Sequence, residues 1–145
     1  MDITIYLENK KIDRDYNLAL SEYKKRISTW CNLKIIPEKN IEKITLKKSA
    51  KTYVVCSQKE TISSTDLADL ISNLNINGFS SINFIILPDR YILMDSWKSL
   101  NFAKDMDIEY FAVSSFNLEG DLTAVVLSEQ LYRAYTIINN ITYHK

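Results

Sequence analysis

The sequence predicts an α/β domain with a mostly parallel sheet and helices on both faces. Segments with a two-residue apolar period alternate with segments of three-to-four-residue period along the whole chain. The run SINFIIL at residues 81–87 is almost continuously apolar, as expected of a central strand covered on both faces. No linker, internal repeat or low-complexity stretch interrupts the order β, α, β, (α), β, α, β, α, β, α, so we expect one domain over residues 1–145.

Ile3, Ile5 and Leu7 alternate with polar or amphipathic neighbours, which makes residues 2–7 the first strand. Tyr16, Ala19, Leu20, Tyr23, Ile27 and Trp30 fall on one helical face over residues 14–30. Residues 33–36 read as a short strand ended by Pro37. Across residues 38–51, Lys43, Lys47 and Lys51 would share one face of a helix and offer a phosphate contact. With Glu38 and Glu42 interleaved, the stretch reads instead as a solvated face. Residues 53–56 are rich in strand formers. Ser63 or Ser64 then caps a helix carrying Leu67, Leu70, Ile71 and Leu74, closed by Asn77 and Gly78. After the 81–87 strand, which Pro88 stops, residues 92–103 read as helix and 110–116 as a further strand. The last helix, residues 121–139, bears two apolar stripes, one through Ala124, Leu127, Leu131, Ala134 and Ile138 and one through Val125, Tyr132 and Tyr135. A helix apolar on two sides must be covered on two sides, and a homodimer joined through this helix would cover the stripe containing Leu127, Leu131 and Ile138.

Composition narrows the chemistry. Lys plus Arg and Asp plus Glu number 18 each, so nucleic acid could be held only by a local basic patch. One histidine, His144, leaves no Cys/His zinc set and no expected metal, and two glycines among 145 residues leave no glycine-rich phosphate loop. Cys31 and Cys56 sit beside apolar residues as buried free thiols do, in keeping with a reducing cytosol. The N-terminus has no basic-then-apolar leader pattern, and we expect a soluble, cytoplasmic protein with no membrane partner.

The last 21 residues narrow the reading further. EQLYRA at 129–134, IINN at 137–140 and the closing Tyr143, His144 and Lys145 resemble the C-terminus of the large-subunit ribosomal RNA methyltransferase H family, of the SPOUT class. The opening strand, the run from Glu22 through Tyr23, Lys24 and Lys25 to Arg26, and SSTDLADL at 63–70 also fall where that family has similar segments. The resemblance implies a SPOUT α/β knot, a deep trefoil at the C-terminus with residues 110–145 threaded through a loop near 87–92. It also implies a homodimer that binds S-adenosylmethionine and methylates N3 of a pseudouridine in the 23S rRNA of the ribosome. By the same resemblance, Arg133, Tyr143 and His144 are candidate catalytic residues. The cofactor positions are Val55, Leu87, Val113, Ser114, Ser115, Phe116, Asn117 and Leu118. On residue chemistry alone, Arg133 reads as an ion pair with Glu129 and the tail as a solvated end.

All three cofactor loops depart from the family pattern. Where the family has Gly-Lys after the third strand, this chain reads Cys56, Ser57, Gln58, Lys59, Glu60; its Gly-Gly turn is matched by Leu87 and Pro88. Its Pro-His is matched by Glu119 and Gly120, and an arginine just inside the final helix by Ala124. Proline deletes a backbone donor, and both Leu87 and Pro88 take space that glycine leaves open. Two readings follow: an active methyltransferase with an altered loop set, or a non-catalytic paralogue that keeps the knotted dimer as an RNA- or protein-binding module.

Overall fold

A computed structural model describes residues 1–93, 99–104 and 106–143. Among them five strands, β1 (Asp2–Glu8), β2 (Asn32–Glu38), β3 (Lys51–Val55), β4 (Ser81–Ile86) and β5 (Ile108–Phe111), form one sheet. Its order is β2-β1-β4-β3-β5 and every neighbouring pair is parallel. The helices are α1 (Arg14–Ile27), α2 (Ser64–Ile76), α3 (Asp89–Leu93) and α4 (Gly120–Ile138), with 3-10 turns at Ile41–Lys43 and Asn101–Ala103.

The two faces of the sheet are covered unequally. On one, Ile3, Ile5 and Leu7 of β1 and Ile82, Phe84 and Ile86 of β4 meet the apolar sides of α1, α2 and α4. The rings of Tyr53, Phe84 and Phe111 cross three strands there at centroid spacings of 5.8 to 6.0 Å. The other face holds a smaller core in which Val54, Ile85 and Leu87 meet Ile41 and Ile44 from the β2–β3 connection and Tyr91, Leu100 and Phe102 from the β4–β5 connection. The β2–β3 connection has to pass β1 and β4, and the β4–β5 connection has to pass β3, so they double as the cover of this face.

α2 shows how local sequence sets an element's ends. Ser63 Oγ accepts the Asp66 N–H at 3.0 Å and Asp66 accepts the Ser63 N–H, a reciprocal capping box. At the other end Gly78 takes φ +86°, and the N–H groups of Gly78 and Phe79 donate to Asn75 and Leu74, which satisfies the last carbonyls.

Several expectations are revised. β2 does not stop at Pro37 but runs through it to Glu38; β2 is an edge strand, where proline's missing N–H costs no ladder bond. The 38–51 stretch is not a continuous helix: Ile41–Lys43 makes one 3-10 turn, the Ala50 N–H closes a separate turn on Lys47 O at 3.1 Å, and Lys51 starts β3, paired with Asp107 and Glu109. β5 lies at 108–111 rather than 110–116, because the chain leaves the sheet after a last bridge between Ala112 and Thr61. The helix read over 92–103 is α3 and a 3-10 turn, with 94–98 outside the described residues. Leu127 and Leu131 of α4 are 0% exposed, packed between the sheet, α1 and α2. The two stripes of α4 are thus covered largely within one chain, and Leu127 and Leu131 are not surfaces awaiting a partner.

Candidate functional site

The carboxyl ends of β1, β3, β4 and β5 open onto one cleft of ≈ 360 Å³, at the edge of a parallel sheet where α/β proteins hold ligands. Its walls come from the residues after β3 (Cys56, Ser57), after β4 (Leu87 to Arg90), after β5 (Val113, Ser114 and 116–119) and from the start of α4.

Each wall is engaged within the chain. The Cys56 N–H donates to Phe111 O at 3.1 Å and the Leu87 N–H to Val55 O at 3.0 Å, while Pro88 has no N–H. Leu87 packs into the smaller core, 3% exposed, so it borders the cleft without filling it. At this turn the shortage is therefore one of free backbone donors more than of space. The Phe116 N–H is taken by Ser114 Oγ at 3.0 Å. Gln58, directly before Lys59, holds φ +62°, a left-handed backbone that glycine adopts more readily.

The charged groups are likewise paired. Glu8, at the end of β1, takes a hydrogen-bonded ion pair from Arg90, which raises the guanidinium's pKa. Ser57 Oγ donates to Asp89 at 2.5 Å, and Tyr16 OH donates to Glu119, a bond that pushes the phenol's pKa up. Asp121 is 8% exposed and accepts from Asn9 Nδ2 at 2.9 Å and the Asp13 N–H at 3.4 Å, which ties the loop after β1 to the favourable N-terminal end of α4. Burial pushes the Cys56 thiol up to about 11. Among the described residues no group of three His, Cys, Asp or Glu side chains is placed to share a metal ion.

Of the expected cofactor positions, Val55, Leu87, Val113, Ser114, Phe116, Asn117 and Leu118 line this cleft. Ser115 does not; with Ser114 it borders a neighbouring hollow formed by residues 58–61. The expected catalytic residues stand elsewhere. Arg133 lies thirteen residues along α4 from Gly120, ~20 Å away at the helical rise, and bonds Glu129 at 2.6 Å. Tyr143 folds back on the same helix end, its ring 4.9 Å from that of Tyr132 and under the Arg133 guanidinium at 5.1 Å. Burial first, and then Glu129, raise the Tyr143 pKa. His144 lies outside the described residues.

A family model described as "Predicted SPOUT methyltransferase" matches residues 1–144. The chain belongs to this family. Among similar proteins, Ribosomal RNA large subunit methyltransferase H 1 of a Thermoanaerobacter strain is 29% identical over 147 aligned residues, and Ribosomal RNA large subunit methyltransferase H of Finegoldia magna is 31% identical over 166. Putative ribosomal RNA large subunit methyltransferase H of Methanococcus maripaludis is 30% identical over 166. Each alignment covers 100% of both chains. SPOUT membership agrees with the motif at 129–140 and with the parallel sheet flanked by helices.

Within this SPOUT chain, sequence reading missed Glu8, Asp89, Arg90 and Thr123 in the cleft wall. Glu8 carried a usable signal, since a charged residue closing the first strand of a parallel sheet stands at the ligand edge. Arg90 carried none, because its ion pair joins residues 82 positions apart.

Proposed function

We propose that this protein is a ribosomal-RNA-directed SPOUT protein of the large-subunit methyltransferase H line. We read it as one domain across residues 1–145 in the cytoplasm, with a cleft that takes S-adenosylmethionine weakly or not at all. The observation that carries this reading is the engagement of the cleft's backbone donors: the N–H groups of Cys56, Leu87 and Phe116 are bonded inside the chain and Pro88 has none. The residues present do not fit the cofactor as the family holds it, with a Gly-Gly turn presented to the ligand. Each hydrogen bond left unmade costs about 1–3 kcal/mol, so two or three together weaken binding roughly a hundredfold or more. Titration calorimetry with S-adenosylmethionine and its demethylated product tests this, and the expected result is no saturable heat at micromolar protein. A micromolar dissociation constant overturns it in favour of an active methyltransferase acting at N3 of a pseudouridine, a reading favoured by the cleft's remaining open.

Two further parts of the reading are proposals. The trefoil knot, with residues 110–145 passed through the loop near 87–92, is supported by the way the 86–90 and 113–120 segments wall one cleft. An experimental structure with an unthreaded chain removes it. The homodimer through α4 is supported by the distance of Arg133 and Tyr143 from their own chain's cleft, since a second copy could bring them to it. Light scattering at micromolar concentration checks this; a monomer contradicts it. Leu131→Glu is not the variant to use, because Leu131 is 0% exposed and the charge would unfold the chain.

A further inference from the structure

We infer that a lysine-bearing groove beside the cleft is the phosphate seat of an RNA strand, with Phe116 of the cleft wall as its base-stacking platform. The inference rests on the reading that ribosomal RNA is the partner, and it deepens that reading by naming the residues that orient the strand. The groove, ≈ 530 Å³, lies between the Ile41–Lys43 turn and α3, and Glu8 and Arg90 belong to its wall and to the wall of the cleft. Their ion pair is the partition between the two spaces.

The charges inside the groove leave a small positive excess, Lys39 and Lys43 against Glu42 once Glu8 and Arg90 pair. Glu8 is neutralised by Arg90, and Glu42 accepts from Tyr91 OH at 3.4 Å. The Asn40 side chain is spent on capping the turn through the Glu42 N–H at 3.0 Å. Lys39 and Lys43 are exposed and join no ion pair among the described residues, whereas Lys51 on the next strand is held by Asp107 and Glu109. In a chain of net charge +0 this is the kind of local positive field that RNA would need. In the adjoining cleft, Phe116 is 76% exposed although it lines the cavity. A large aromatic ring kept in water in one space, with exposed lysines in the space next to it, is the composition that binds single strands: bases stack on the ring and phosphates follow the charge.

The test is co-sedimentation with intact bacterial ribosomes over a range of salt. The variants are Lys39→Gln/Lys43→Gln, Phe116→Ser, and Lys24→Gln/Lys25→Gln on the exposed side of α1 as control. All the substituted positions are exposed, so matched thermal melts are expected. For the groove variant we expect a log affinity against log salt slope shallower by roughly 1.4, about 0.7 for each single-strand phosphate that a lysine no longer neutralises. Phe116→Ser is expected to weaken binding about tenfold or more with the slope unchanged, and the control to match the original chain. Poly-uridylate should displace the protein and polyglutamate should not. If the original chain binds and the groove variant keeps its slope, the phosphate seat is overturned while the ribosomal reading stands. If polyglutamate competes equally, the lysines serve an acidic protein segment and the proposal is overturned. If the original chain does not sediment with ribosomes, the ribosomal reading falls and this inference falls with it.

Discussion

At its N-terminal end α4 is fastened by polar groups drawn from distant parts of the chain. Asp121 accepts from Asn9 and Asp13, Glu119 from Tyr16, and the Thr123 hydroxyl turns back to Glu119 O at 2.8 Å. At its C-terminal end, beyond one hydrogen bond from Ser64 to Gln130, the fixings are rings and methyls: Trp30 stacks on Tyr135 at 6.1 Å and 5°, Tyr132 meets Tyr23, Trp30 and Tyr143, and Leu131 and Ala134 are 0% exposed. Fixings of the first kind can be exchanged singly, because each is one hydrogen bond worth about 1 kcal/mol net. Those of the second kind are close-packed, and any change of volume is felt by several neighbours. EQLYRA lies at the packed end, and the segment after β5 that walls the cleft lies at the polar end. The contrast shows how residues of the cleft wall can be exchanged while the helix behind them keeps its place.

The largest loss of stability is expected at Leu131. Leu131→Ala removes a fully buried side chain between the sheet, α1 and α2, and a loss of about 2–5 kcal/mol in urea unfolding is expected. At the other end, Asp121→Ala leaves Asn9 Nδ2 and the Asp13 N–H without their acceptor, with an expected loss of about 1–3 kcal/mol by the same measurement. If the two losses come out in reverse order, the division into packed and polar ends is wrong.

One thiol sits near each end, and pH sharpens the contrast. Burial raises Cys31, beside Tyr135, and Cys56, in the cleft wall, from the ordinary 9.0 to about 11. Between those values the unfolded chain releases protons that the folded chain keeps, so stability is lost as pH rises from 9.0 to about 11 and is untouched by these groups at neutral pH. Unfolding curves taken across that range should show the fall, and Cys31→Ala/Cys56→Ala should make it shallower. The smallest effect is expected at Gln58, whose left-handed backbone costs about 1 kcal/mol for a residue with a Cβ. Gln58→Gly should raise stability by a few tenths to about 1 kcal/mol after glycine's entropy is offset, read as a shift in the thermal midpoint.

Periodicity and local capping chemistry determined most of the fold. Ile3, Ile5 and Leu7 can face one way only in a strand, the SINFIIL run needs cover on both sides, and Ser63, Asp66 and Gly78 satisfy helix ends that no other arrangement satisfies as well. The C-terminal motif determined the family. Tertiary structure decided what depends on distant neighbours. Pro37 could join a strand only because β2 took the sheet edge, and α4 could be apolar on two sides only because α1 and α2 flank it. Arg133 and Tyr143 resembled parts of an active site, yet the length of a helix sets them far from their own cleft. Glu8 and Arg90 became partners through the meeting of β1 with the chain beyond β4, a register no local pattern encodes. Hydrophobic period is written in adjacent residues, whereas an ion pair across 82 positions exists only after the sheet has brought its ends together.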